Sequence, residues 1–176
     1  MNPFRRSYTQ VEQNYFKFLS KFKLFERLNR AEMLLFIPHL HLRNYRINEV
    51  VFFRNDPSQA LYLIKSGELT MLLDVGDHFE TVVGFGPLVS VGNNSLLEDS
   101  KRIFTAVVSS VVCEIYVLPR VNILDIFEQN PLIRAKMMES LAELLNENFS
   151  VMLRAYQVSH GLFDLEGMFS AFEMGC

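Results

Sequence analysis

Cysteine is nearly absent: the 176-residue chain holds two, Cys113 and Cys176. A disulfide framework is therefore excluded, no metal-ligand spacing exists, and a reducing compartment fits, with Cys113 a small core residue. Charge of one sign is missing too. The net charge is −3, and the 17 Lys and Arg are spread along the chain apart from the pair Arg5-Arg6, so there is no electrostatic footprint for nucleic acid. Long apolar runs are also lacking. The uncharged stretch 103–113 is too short to span a bilayer, and MNPFRRSYTQ runs into polar residues instead of an apolar signal segment. These absences predict a cytoplasmic, soluble protein with neither nucleic acid nor membrane as partner.

Catalytic signatures are missing as well. Ser95 lacks a Gly-x-Ser-x-Gly elbow, and there is neither a P-loop nor a dinucleotide fingerprint. His39 and His41 form the one closely spaced histidine pair, but no Glu follows until Glu49, and they flank a helix-to-strand junction. His78 lies near a turn with Asp77, and His160 ends a helix, where a cation suits the dipole. Surface histidines are the expected state. The sequence predicts no catalytic residue, no metal site and no enzyme.

What is present is a substantial core. Hydrophobic residues make up 49% of the chain, enough for one folded domain of ordinary size. Val11, Tyr15, Phe18, Leu19, Phe22, Phe25 and Leu28 recur at helical spacing over residues 9–28, and Asn29 caps a second short helix reaching Leu35. Short β-prone runs follow at 50–53, 61–64, 68–74, 81–85, 105–108 and 111–118, with turns at Asn55-Asp56-Pro57, Val75-Gly76-Asp77 and Ser66-Gly67, the last read as a tight hairpin. A long helix then spans 131–160, opened by Pro131 and stopped by Gly161. Met138, Leu141, Leu145, Phe149, Met152 and Tyr156 share one stripe of it. Either the β domain or a second copy must cover that stripe. The tail, residues 162–176, carries Leu162, Phe163, Leu165, Met168, Phe169 and Phe172 and reads as a docked helix.

The stretch GPLVSVGNNSLLEDSKRIFT, residues 86–105, is the candidate site. Gly92 precedes Asn93, Asn94, Ser95 and Leu96, the start of a short helix whose free N–H groups favour an anion. Nine positions after Asn93 stands Arg102, whose planar fork suits a phosphate and which a following strand carries back over that helix start. The same residues also read as a surface loop with a solvated Lys101-Arg102 pair.

This order of elements, the segment NEVVFFRNDPSQALYLIKSGELTM, and above all LYLIKSGEL at 61–69, resemble the cyclic nucleotide-binding domains of Crp-Fnr regulators, protein kinase A regulatory subunits and cyclic nucleotide-gated channels, over roughly residues 22–157. The resemblance implies an α+β fold: an antiparallel β-roll, jelly-roll-like, flanked by N-terminal helices and a long C-terminal helix. Residues 1–43 would form the helical segment, 44–120 the roll with its phosphate-binding cassette at 86–105, and 121–176 the C-terminal helices of a single domain. Asn48 and Asn55 stand where the family has Gly, which predicts left-handed backbone there, since Asn tolerates it best among other residues.

The resemblance further implies a ligand-binding set of Gly92, Asn93, Asn94, Ser95, Leu96, Arg102, Phe104 and Thr105. Arg102 would grip the phosphate and the Thr105 hydroxyl would lie near it. Asn93 replaces the Glu that accepts the ribose 2′-hydroxyl, a change of roughly tenfold in binding. Val91 replaces a Phe, and Leu88 with Val89 replaces a Gly-Asp turn. Phe104 stands where the family has a small residue; its ring either occludes the pocket or turns into the core. The implied ligand is cAMP or cGMP with no required cofactor, and the implied output runs through helix 131–160 to a second copy or a protein partner. A scaffold that has lost its ligand is the alternative. Crp-like proteins carry a DNA reader after the long helix; the 16 residues beyond His160, with Asp164, Glu166, Glu173 and no Lys or Arg, predict none here.

Overall fold

Eight short strands and four helices follow one another in the computed structural model, which describes residues 7–160. The segment 1–6, the expected stop at Gly161, the tail 162–176 and Cys176 lie outside the described residues. Helix α1, Gln10–Leu19, opens on Thr9, whose hydroxyl accepts from the Glu12 N–H while the Glu12 carboxylate accepts from the Thr9 N–H. Asn29 and Glu32 repeat that capping box at α2, Arg30–Leu34. The helical spacing over 9–28 overreaches, because α1 ends at Leu19 and a separate 3₁₀ turn forms at Lys23–Phe25. Leu24 and Phe25 are adjacent and both fully buried, and a straight amphipathic helix does not bury such neighbours on one stripe.

The strands are β1 (His41–Arg46), β2 (Val50–Phe52), β3 (Ala60–Ser66), β4 (Leu69–Val75), β5 (His78–Phe85), β6 (Ser90–Val91), β7 (Thr105–Val108) and β8 (Val112–Pro119). They form two antiparallel sheets, ordered β1-β8-β3-β6 and β2-β7-β4-β5. This is the expected α+β roll. The Ser66-Gly67 turn is not a hairpin: β3 and β4 belong to different sheets, so the chain turns a corner there. Gly67 has φ +81°, and a Cβ on it would strike the Val112 carbonyl and the Ser110 hydroxyl, so glycine is needed for the close crossing. Strand β1 begins at His41, inside the segment expected to be helical, because its polar HLRNYR pattern hides an exposed edge strand. In the β4–β5 hairpin, turning at Gly76, the register slips by one residue so that Val82 has no partner on β4.

Period-two alternation places β3 between two cores. Leu61 and Leu63 join one cluster with Phe22, Phe25, Phe36, Leu118 and Ile123, while Ile64 joins the other with Leu69, Met71, Ala106, Val108, Cys113 and Ile115. The first core lies under the helices and the second between the sheets. Cys113 is fully buried there, and burial pushes its thiol above the ordinary pKa.

Helix α3 is Arg120–Gln129 and α4 is Pro131–His160. The chain divides into two compact units, one ending at Leu141 and one starting at Ala142. The buried positions of α4, Ile133, Met137, Ser140 and Leu141, end at the same point. Within the first unit Lys136 of α4 donates to both Glu32 carboxylate oxygens, at 2.7 and 2.9 Å, fixing α2 to α4. In the second unit Leu145, Phe149, Met152 and Tyr156 are exposed.

Asn48 and Asn55 both have φ of 67°, the left-handed backbone expected of them. Asn55→Val is expected to lower unfolding free energy in urea by about 1–2 kcal/mol, whereas Asn55→Gly leaves it within about 0.5 kcal/mol.

Candidate functional site

The cassette is built around one close approach. Gly92 has φ +74°, and a Cβ there would fall on Nη1 of Arg102 and lie 3.1 Å from the Ala60 carbonyl oxygen. Only glycine lets the guanidinium lie against the main chain. Arg102 is 4% exposed, which removes the solvated-pair reading of Lys101-Arg102. Its Nη2 donates to the Ala60 carbonyl at 2.7 Å and its Nη1 to the Gly92 carbonyl at 3.4 Å. The guanidinium carbon lies 4.4 Å from the Phe52 ring centroid and 5.2 Å from that of Tyr62, within cation–π range. Its main chain is fixed as firmly: Arg102 N–H donates to Asp56 O at 2.8 Å and Asn55 N–H donates to Arg102 O at 2.9 Å.

Burial draws the Arg102 pKa below its ordinary value, while the Tyr62 hydroxyl and the Asp56 carboxylate act in the opposite sense. The group stays a cation at neutral pH. Among the described residues no carboxylate lies within ion-pair distance of it. With Asp56 acting only at a distance, the buried charge has no direct ion-pair partner among the described residues, an unfavourable state that an incoming anion would relieve.

The other expected residues divide into three groups. Asn93 follows Gly92 in the cassette turn: its Nδ2 donates to Ser90 O at 3.3 Å, and its Oδ1 is buried with no hydrogen-bond partner. Asn94 acts as a staple. Its Oδ1 accepts from Ser58 Oγ at 3.0 Å, its Nδ2 donates to Lys101 O, and its carbonyl accepts from Ser100 Oγ. Ser95 is fully buried with its hydroxyl unpaired, and Leu96 joins the helical core. The expected helix start is a single 3₁₀ turn, Asn93–Leu96, in which Ser95 N–H and Leu97 N–H already donate to Gly92 O and Asn94 O. So short a turn carries little dipole, and the guanidinium supplies the site's positive charge.

Thr105 is buried, and its hydroxyl accepts from Arg54 N–H at 3.0 Å. Phe104 is half-buried against the core between the sheets. It lies in the bend just before β7, beside Thr105 and Ala106, both buried. Leu88 has φ 68°, a left-handed backbone that glycine would adopt without strain. Phe52, Tyr62 and Ala60 are the residues missed from sequence. The inward parity that Tyr62 shares with Ile64 was the one signal available.

A two-sheet roll with a glycine-backed, buried arginine in its connecting cassette is the architecture of a class of regulatory modules. The family profile "Cyclic nucleotide-binding domain" matches residues 42–130, and the chain belongs to that family. It is 30% identical over 125 residues to the cyclic AMP receptor protein of Thermus thermophilus, covering 70% of this chain and 57% of that one. The chain thus spans little more than half the length of this curated relative. The crystal structure of the Thermus thermophilus catabolite activator protein aligns with a TM-score of 0.62 at 28% identity, over 77% of this chain and 64% of that one. The regulatory domain of Toxoplasma gondii PKA, solved with cAMP, aligns with a TM-score of 0.61 at 21% identity, over 69% of this chain and 46% of that one.

Gly92→Ala tests the close approach. It is expected to lower stability by about 1–3 kcal/mol, from left-handed strain and displacement of the guanidinium, as read by urea denaturation.

Proposed function

We propose that this domain is a non-enzymatic sensor in which Arg102 captures the phosphate of a cyclic nucleotide, cAMP or cGMP, and the C-terminal helix passes the response to a second copy or a protein partner. The observation that carries this reading is the buried Arg102 guanidinium with no carboxylate counter-ion among the described residues. A cyclic phosphodiester supplies the single negative charge that the site lacks. Gly92, Asn93, Asn94, Ser95, Leu96, Phe104 and Thr105 complete the binding set, with the unpaired Oδ1 of Asn93 free to accept a ligand hydroxyl. The names of the relatives agree with this ligand class: one is a cyclic AMP receptor protein, and another was solved with cAMP.

A ligand-free scaffold is the second reading, and Phe104 favours it. Its half-buried side chain packs against the core between the sheets, and the Thr105 hydroxyl is already engaged with the Arg54 main-chain N–H.

Calorimetric titration with cAMP and cGMP separates the two. Binding by the wild type, weakened about ten- to a hundredfold in Arg102→Ala by loss of charge-assisted hydrogen bonds, is expected for the sensor. Absence of heat with either nucleotide in the wild type leaves the scaffold.

For the output, Leu145, Phe149, Met152 and Tyr156 recur every three or four residues, all exposed, as a coiled-coil seam would require. Sedimentation equilibrium is expected to show a dimer that the double substitution Phe149→Ser, Met152→Ser dissociates. Thermal unfolding of the residues up to Leu141 should stay unchanged.

A further inference from the structure

We propose that Phe52 and Tyr62 set the anion affinity of the cassette by holding Arg102 in a competing cradle. The inference rests on the reading of Arg102 as the anion-binding group and concerns how tightly that group is released to a ligand.

The cradle is assembled from both sheets. Phe52 ends β2 in one sheet, Tyr62 lies in β3 of the other, and their centroids are 5.3 Å apart with planes inclined at 36°. Together they face the guanidinium at 4.4 and 5.2 Å. Both terminal nitrogens of the fork are turned to main-chain carbonyls, Nη2 to Ala60 O and Nη1 to Gly92 O. A ligand phosphate engages a guanidinium best through two parallel N–H bonds. One N–H of each terminal nitrogen is taken by a carbonyl and the residue is only 4% exposed, so two-pronged capture of a ligand requires Arg102 to turn out of the cradle, which breaks its ring contacts. The apparent affinity is then the intrinsic affinity reduced by the fraction of molecules in which the arginine is released.

This arrangement gives each ring two effects of opposite sign. In the free protein a ring stabilises a buried cation that has no carboxylate partner, so its removal lowers stability. Toward a ligand the same ring holds the arginine back, so its removal raises affinity. A residue that only supports the pocket's shape would lower both.

The test combines calorimetry with cAMP and cGMP, urea denaturation, and the ¹⁵N–¹H signal of the Arg102 side-chain Nε, assigned by its loss in Arg102→Lys. In the wild type that signal is expected to carry a ring-current shift. Phe52→Leu should reduce the shift, lower unfolding stability, and tighten nucleotide binding by about five- to thirtyfold, the range of a desolvated cation–π contact. Phe52→Tyr keeps a ring and should restore wild-type values in all three measurements. Tyr62→Leu repeats the test from the other sheet. A wild-type Nε signal without ring-current shift overturns the cradle. A shifted signal with wild-type binding that is unchanged or weakened in both Leu variants overturns the affinity role while leaving the sensor reading intact. A shifted signal with no heat from any variant overturns the sensor reading and the affinity role with it.

Discussion

A cation buried inside a β-roll is the constraint on which the rest of this structure depends. Arg102 cannot be solvated where it lies, so its surroundings must satisfy it from the backbone and from aromatic faces. That requirement accounts for several otherwise separate features. Position 92 must be glycine, the turn at residues 55–56 must pin the arginine main chain, and an aromatic side chain must end β2. Because Ala60 and Tyr62 belong to one sheet and Phe52 to the other, a single side chain joins the two sheets at the cassette.

Strand β3 joins this site to the core beneath the helices. One of its faces supplies Leu61 and Leu63 to the core beneath the helices, and the other supplies Ile64 and Tyr62 to the interior of the roll. Leu96 in the cassette turn packs into the helical core as well. Interiors packed at this density shift between discrete arrangements instead of deforming smoothly. Ala60 on β3 accepts from Arg102, and Leu61, Leu63 and Leu96 share one core with Ile133, Met137 and Leu141 of α4.

Much of this was legible in the residues themselves. The Gly92 to Arg102 spacing marked the cassette, and Asn48 and Asn55 marked left-handed turns, because backbone chemistry is local and leaves a local signature. The cap residues Asn29 and Pro131 did the same for helix starts. Illegible were features created by tertiary pairing. β1 is a polar edge strand that exists through its ladder with β8, and Ser66-Gly67 resembles a hairpin turn until the sheets are assigned. The aromatic cradle was hidden for the same reason, since Phe52 and Tyr62 are ten residues apart in sequence and meet across two sheets. Phe104 could be flagged as an oversized residue, but its contact with the core between the sheets is made by tertiary packing.

The unmatched Val82 has a consequence for how the protein behaves in concentrated solution. Strand β5 lies at the rim of its sheet and exposes Phe79, Val82 and Val83. A regular ladder there would offer a sticky template to any extended chain nearby. The extra residue at Val82 bends that rim and interrupts its row of donors and acceptors. Fibre-like growth from this edge would first have to straighten the bulge, so an irregularity of one residue guards the molecule's most adhesive margin.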